Sequence, residues 1–246
     1  MLRRVLRRFK KIDSEQDKRA EEDFNKRTVA NLTVESSLKE AENLDRTNKI
    51  ADIIIRELNL SQKDKILDIG CYNGLYEMML AKRKIGNIIG VDISKDAILL
   101  AKKIKARLNL KANFQVADAE KLPFKDGEFD AVLILGLLHH LPDKSTMKAL
   151  KEAKRVLKPN GRILIADPNL YHPRIIYAHL VLDSSDNELA YSFIEMRGIT
   201  NMFFKTKKAY TVRYLPRSEV LDGVLHKVPF VNWFGAETII SAVKNR

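Results

Sequence analysis

The sequence contains a single cysteine, Cys71, and therefore has no partner for an intrachain disulfide. A chain of 246 residues buries enough apolar surface to fold without such cross-links. Cysteine-poor sequences are typical of reducing compartments, so we expect a cytoplasmic protein. The sequence also lacks an apolar run of about 18 residues, the minimum for a membrane-spanning helix. The five histidines show no spacing typical of a metal site, and we expect no metal.

Acidic residues are in the minority. Lysine and arginine number 44 against 32 aspartate and glutamate residues, which gives a net charge of +12. An excess of positive charge favours anionic partners such as nucleic acid, acidic lipid or an acidic substrate, without choosing among them. A lysine-rich surface that interacts only with solvent is the alternative interpretation.

Residues 1–11 combine this charge with helical periodicity. Arginine and lysine fill one face, and four apolar residues follow the spacing i, i+3, i+4, i+7 on the other: Leu2, Val5, Leu6 and Phe9. The pattern predicts a basic amphipathic helix that lies on an anionic membrane surface. A frayed basic tail is the alternative. The membrane interpretation adds a peripheral membrane location to the expected cytoplasmic one.

The rest of the chain divides by its hydrophobic pattern. Residues 1–45 are predicted to be a charged, helical N-terminal extension, and residues 46–246 the main domain. Predicted strands cover 65–69, 88–93, 112–118, 129–136, 161–167 and 237–243, and predicted helices cover 46–58, 74–84, 95–108 and 143–157. Apolar strands separated by helices predict an α/β fold with a doubly wound, mostly parallel sheet. Residues 168–230, rich in aromatic and basic residues, are predicted to form a substrate-side insertion or cap.

Three successive predicted strands end in a carboxylate, namely Asp68, Asp92 and Asp118. The carboxyl ends of parallel strands meet at one edge of a sheet, where ligands of open α/β sheets bind. Three carboxylates at one edge are costly unless a ligand donates hydrogen bonds to them. Asp92 is placed to accept from ribose hydroxyls, with a helix cap as its alternative role. Asp118 is placed to accept from an exocyclic adenine amine. A cationic, hydroxyl-rich nucleoside would meet the need of all three.

A glycine-containing turn follows the first predicted strand, with the sequence Asp68-Ile-Gly70-Cys-Tyr-Asn-Gly74. Small residues let the backbone turn sharply and approach a ligand closely, although a tight strand-to-helix turn without a ligand is the alternative. A dinucleotide is a weaker candidate, because the second and third glycines of G-x-G-x-x-G would fall at Tyr72 and Leu75. Asp68 would also repel a pyrophosphate. The turn therefore favours a ligand without phosphate.

In this context the chain resembles the class I S-adenosylmethionine-dependent methyltransferases, and within them the branch that acts on small molecules, quinones and lipids. Five blocks carry the resemblance in the family's order and spacing: 67–74 (LDIGCYNG), 90–94 (GVDIS), 117–124 (ADAEKLPF), 129–142 (FD through LHHLP) and 155–161 (RVLKPNG). The resemblance covers about residues 45–167 and the final strand. It implies a Rossmann-like sheet of seven strands with an antiparallel last strand, and S-adenosyl-L-methionine as cofactor.

The resemblance also implies roles for single residues. Four residues would shape the loop around the methionine moiety: Asp68, Gly70, Cys71 and Gly74. Five residues would contact the nucleoside: Asp92, Ile93, Asp118, Ala119 and Leu135. Among these, Asp92 would hold the ribose diol, and Leu135 would offer its backbone. One departure is Tyr72, where the family usually has glycine. A bulky side chain there narrows the pocket or points outward, so a non-catalytic scaffold with a degenerate pocket stays open as an alternative.

His139 and His140 follow the fourth predicted strand, on the expected acceptor side. Imidazole titrates near neutral pH, so both are candidate general bases if the acceptor must lose a proton. Packing or hydrogen bonding at a loop entrance is the alternative role. The aromatic content of 168–230 favours a small-molecule, quinone-like or lipid acceptor. RNA is the alternative acceptor, because positive charge and aromatic residues also suit phosphates and stacked bases.

Overall fold

The computed structural model describes residues 33–37, 45–180, 190–212 and 235–245. The predicted amphipathic helix over 1–11 lies outside these residues, as does most of the predicted charged extension. Among the described residues, no helix combines the length and apolar character needed to cross a membrane. Within the same residues, no three potential metal ligands form a cluster.

The described elements alternate between strands and helices over most of the chain. In chain order they are α1 (Asp45–Leu58), β1 (Lys65–Ile69), α2 (Leu75–Lys82), β2 (Asn87–Asp92), α3 (Lys95–Leu108), β3 (Ala112–Val116), β4 (Phe129–Leu135), a short 3-10 helix (Leu138–His140), α4 (Asp143–Val156), β5 (Leu157–Pro168), α5 (Pro173–Leu180), α6 (Phe193–Phe203), β6 (Lys205–Val212) and β7 (Glu237–Val243). The predicted strands and helices agree with these bounds to within a few residues.

The strands form one seven-stranded sheet in the order β3-β2-β1-β4-β5-β7-β6. Strands β1 to β5 pair in parallel, and β7 pairs antiparallel with both β5 and β6. The predicted Rossmann-like fold class, with a mostly parallel sheet and an antiparallel last strand, is confirmed. Successive strands from β1 to β3 extend the sheet in one direction, and β4 begins its growth in the other. The order therefore reverses at β1 and β4, which is where ligands bind in such sheets.

The sixth strand corrects one prediction. Residues 205–212 lie within the segment 168–230 that the sequence predicted to be an insertion or cap, yet they form β6 at the edge of the sheet. Lys205, Lys207 and Lys208 are exposed on this strand, so it lacks the apolar run that marks the central strands. Charged side chains on an edge strand prevent other chains from pairing with it.

Two apolar layers bury the faces of the sheet. One layer contains Ile54 of α1, Met78 of α2 and Ile98 of α3. The other contains Leu150 of α4 and Met196 of α6. Because both faces are covered, the central strands are apolar on both sides, as the sequence predicted.

Helix α3 begins and ends at the residues that the sequence indicates. The Ser94 hydroxyl accepts a hydrogen bond from the Ala97 amide at 3.2 Å, which caps the first turn. Asn109 adopts a left-handed conformation with φ 49°, which ends the helix. Because the helix begins only at Lys95, Asp92 and Ile93 lie at the carboxyl end of β2, beside β1.

Candidate active site

The loop between β1 and α2 turns through three left-handed residues. Gly70 has φ 80°, Tyr72 φ 49° and Gly74 φ 78°. The amides of Gly70 and Cys71 donate to the Val91 carbonyl at 2.8 and 3.0 Å, so the loop is fixed to the end of β2. The need for positive φ explains why glycine is usual at the position of Tyr72, and a tyrosine there carries roughly 1–2 kcal/mol of backbone strain.

Asp92 ties the same loop to the start of α3. One carboxylate oxygen accepts from the Tyr72 amide at 2.9 Å, and the other accepts from the Ser94 amide at 2.8 Å. Burial raises the pKa of Asp92, while these amide bonds and the nearby His140 oppose the rise. A carboxylate oxygen can accept two hydrogen bonds, and each Asp92 oxygen accepts one of the two described above, so Asp92 can still accept from the hydroxyls of a ligand.

Asp68 lies next to Asp92, at the end of the neighbouring strand, and only 1% of its surface is exposed. Among the described residues, no backbone amide and no cationic side chain donates a hydrogen bond to either carboxylate oxygen. Burial raises the pKa of Asp68 to about 7, and the Asp92 charge adds to the rise. A buried carboxyl without a donor is costly and is expected where a ligand supplies the missing donor or charge.

The other residues predicted to contact the nucleoside lie around this pair of carboxylates. Ile93, directly after β2, leaves 43% of its side chain exposed, which is unusual for isoleucine. Asp118 follows β3 and accepts from the Glu120 amide at 2.8 Å. Ala119 is partly buried beside it, and Leu135 is buried at the end of β4. The predicted set therefore lies at the ends of four neighbouring strands.

His139 and His140 belong to the short helix after β4, and their rings lie 3.9 Å apart, centre to centre. They face different partners. His139 Nδ1 is hydrogen-bonded to Asp167 of β5 at 2.8 Å, and its ring is 11% exposed. His140 acts electrostatically on Asp92, on the cofactor side. The structure thus separates the two histidines that the sequence left equivalent.

The comparisons with known proteins agree with this geometry. Residues 66–161 match the family model described as "Methyltransferase domain". These residues contain the loop after β1, the carboxylates of Asp68, Asp92 and Asp118, and both histidines.

Over residues 66–161, which are less than half of its length, the chain is similar to the class I S-adenosylmethionine-dependent methyltransferases.

Several curated relatives are methyltransferases by name. The 27-O-demethylrifamycin SV methyltransferase of Amycolatopsis mediterranei is 34% identical over 50% of this chain and 45% of its own length. The tRNA U34 carboxymethyltransferase of Nautilia profundicola is 29% identical over 62% and 46%. The UbiE quinone C-methyltransferase of Geotalea daltonii is 29% identical over 68% and 67%. The chain therefore spans less than half the length of the first two of these relatives.

The fold has close counterparts among solved structures. An S-adenosylmethionine-dependent methyltransferase from Aquifex aeolicus superposes on this chain with a TM-score of 0.62 at 20% identity. The match covers 87% of this chain and 99% of the other. At this identity the likeness concerns the fold alone. It extends the shared architecture beyond the residues of the family match.

The residues of this site fit the cofactor of the family, S-adenosylmethionine. The cofactor is cationic, and no cationic side chain among the described residues pairs with the buried Asp68 carboxyl. Its ribose needs an acceptor, which Asp92 offers, and its purine needs an apolar surface, which Ile93 exposes. Cys71 contributes a buried thiol whose pKa is raised chiefly by burial, which disfavours the reactive thiolate.

Two acidic residues at the site were not predicted from the sequence. Asp167 was identified only as the end of a strand, although it is a fourth acid at the same sheet edge as the three predicted ones. Glu77 was not singled out, although it is the one charged residue in the apolar run from Leu75 to Ala81. That contrast with its apolar neighbours was the available signal.

Proposed function

We propose that the chain transfers a methyl group from S-adenosylmethionine to a small-molecule, quinone-like or lipid acceptor. The observation that carries this proposal is the division of the site at the switch point. Asp68 and Asp92 lie on β1 and β2, whereas the His139–Asp167 pair lies at β4 and β5. The first group suits a cationic nucleoside, and the second suits an acceptor that must lose a proton.

The cofactor, when bound, supplies a methyl group on a positively charged sulfur, which is an already activated leaving group. The chain then has to align the two reactants and exclude water. Asp92 is held by two backbone amides and is therefore oriented before any ligand binds. The exposed side chain of Ile93 lies beside it as a surface for a purine ring.

We assign proton removal to His139. When its Nδ1–H donates to Asp167, the neutral ring carries its basic lone pair on Nε2. Asp167 is almost fully buried, so it holds the ring in one orientation and stabilises the imidazolium that forms. An acceptor hydroxyl or acidic carbon that transfers its proton to Nε2 becomes the nucleophile for the methyl group.

The class of acceptor is inferred from the acceptor side of the sheet. Tyr171 and Tyr177 follow β5, and Tyr177 is exposed, which suits an apolar or aromatic molecule. Relatives named for rifamycin and quinone methylation support this class. We further propose that residues 1–11 hold the chain at an anionic membrane surface in the cytoplasm, where lipid-soluble acceptors are found.

RNA is the second candidate acceptor. The net charge of +12 favours a polyanion, and a relative named for tRNA modification supports the same class. A labelled-methyl transfer assay against lipid, RNA and small-molecule extracts distinguishes the candidates by the fraction that takes up label. Label in lipid or small molecules supports the proposal, and label in RNA alone contradicts it. No detectable calorimetric binding of S-adenosylmethionine would favour the scaffold alternative.

The role of the His139–Asp167 pair has its own test, made with the acceptor that the labelling assay identifies. Asp167→Asn is expected to lower kcat about 100-fold or more, because an amide stabilises neither the correct tautomer nor the imidazolium. Asp52→Asn is the matched control, since Asp52 pairs with Arg83 on the outer surface of α1 and α2. Equal kcat and equal pH profiles for the two variants would show that the pair removes no proton.

A further inference from the structure

Glu77 is a buried acid that the proposed chemistry does not use. It is the third residue of α2, and only 1% of its surface is exposed. Its Oε1 lies against Gly90 of β2, only 2.5 Å from the position that a Cβ would take there. Gly90 is the strand partner of Asp68. The absent side chain of Gly90 therefore makes the space in which the Glu77 and Asp68 carboxyls meet.

The two carboxyls have no donor other than each other within the described chain. Among the described residues, none of their four oxygens accepts a hydrogen bond from another group, and no lysine or arginine forms an ion pair with either carboxyl. The charged and titratable groups that face them are Asp92 from β2 and the Cys71 thiol from the loop, neither of which is a cation. Two adjacent buried carboxylates of like charge do not both ionise without compensation.

Their surroundings indicate where the proton lies. Burial raises the pKa of Glu77 well above its usual range, and the Asp68 charge raises it further. Burial also raises the pKa of Asp68, whereas a hydrogen bond from Glu77 lowers it. Glu77 therefore carries the proton and donates it to Asp68, in the manner of other carboxyl pairs that share one proton.

We propose that Glu77 and Asp68 hold one proton between them and release it to solvent when the cationic cofactor binds. This inference rests on the proposed function, because it takes S-adenosylmethionine as the ligand. Bound at the carboxyl ends of β1 and β2, the cofactor would add positive charge near the pair, and this would favour the form with both carboxyls ionised. Once the methyl group has left, the sulfur is neutral and that attraction weakens. The pair then takes a proton from solvent again, and binding of the product is less favoured than binding of the cofactor.

The shared proton is tested first without any ligand, by infrared spectroscopy of the full chain. At pH 8, above the pKa of about 7 for Asp68, the wild type is expected to show the carbonyl stretch of a protonated carboxylic acid, and Glu77→Gln is expected to lose most of it. Glu128→Gln is the matched control, because Glu128 forms an ion pair with Lys65 and is ionised. Absence of the band in the wild type, or its survival in Glu77→Gln, would overturn the inference.

The coupling to the ligand is tested by titration calorimetry with S-adenosylmethionine in buffers of different ionisation enthalpy. At pH 8, above the pKa of Asp68, the wild type is expected to release up to one proton per cofactor, and Glu77→Gln almost none. The affinity of the wild type for the cofactor should accordingly rise by up to tenfold per pH unit above about pH 7.5, whereas the affinity of Glu77→Gln should stay nearly level there. Binding without proton release overturns this inference and leaves the proposed function intact. Absence of binding overturns the proposed function and the coupling, whereas the infrared band still reports the shared proton.

Discussion

Substitution of Gly90 by alanine probes the contact on which the carboxyl pair depends. The added Cβ would lie 2.5 Å from Glu77 Oε1, 2.8 Å from Cys71 Sγ and 2.9 Å from Cys71 Cβ. All three distances are shorter than van der Waals contact. Glu77 is only 1% exposed, and Cys71 Cβ moves only if the loop moves. Overpacking of this kind costs about 1–3 kcal/mol of unfolding free energy.

Urea unfolding of the full chain measures this cost. With an m-value of about 2 kcal/mol per M, a loss of about 2 kcal/mol lowers the midpoint by about 1 M. Gly198→Ala is the matched control, because Gly198 lies inside α6 with nothing within 4 Å of its added Cβ. The control should gain about 0.5–1 kcal/mol, since alanine favours a helix over glycine. A Gly90→Ala midpoint equal to or above that of the wild type would refute the reasoning about the space that Gly90 leaves.

Two further predictions concern the same region. Tyr72→Gly and Tyr72→Val both remove the ring, but valine resists the φ of 49° at this position. The valine variant should therefore be less stable than the glycine variant by about 1 kcal/mol in urea unfolding. Equal urea midpoints for the two variants would show that the loop relaxes without strain. Without cofactor, the wild type should lose stability relative to Glu77→Gln as the pH rises. The reason is that burial and the Asp68 charge raise the pKa of Glu77 well above its usual 4.5 in the folded state, so the folded wild type keeps a proton that the unfolded chain loses as the pH rises past that value. Each further rise in pH then favours the unfolded wild type, whereas Glu77→Gln lacks this group. Urea midpoints at pH 5 and pH 8 measure this, and parallel curves for the two proteins would contradict it.

The parts of the fold that the sequence predicts are those with a strong local signal. Strands β1, β2 and β4 are apolar because both faces are covered, and this makes their ends easy to locate. The carboxylates of Asp68, Asp92 and Asp118 follow directly, because parallel strands bring their carboxyl ends to one edge. Strand β6 escaped prediction for the opposite reason. Its exposed lysines belong to an edge strand, and their pattern in sequence is typical of a solvated loop.

The missed site residues depend on contacts that no local pattern encodes. Asp167 and His139 are 28 residues apart, and only the pairing of β4 with β5 brings them within 2.8 Å. Glu77 occupies the first turn of a helix, where an acid is common because of the helix dipole. What makes it unusual is its burial against Gly90, and that follows from the packing of α2 on β2. Local sequence predicts such groups as ordinary, and tertiary structure gives them their chemistry.

The chain carries a net positive charge, whereas its site is acidic. Screening by salt explains how the surface can attract an anionic partner while the site attracts a cationic ligand. Lysine and arginine on the surface are screened over about 10 Å at ordinary ionic strength, so they contribute little inside the site. Asp68 and Asp167 are each only 1% exposed, and fields in such surroundings are screened far less. A cationic ligand is therefore attracted at the sheet edge while an anionic surface is attracted at the exterior. Raising salt should consequently weaken association with anionic membranes or RNA much more than it weakens binding of S-adenosylmethionine.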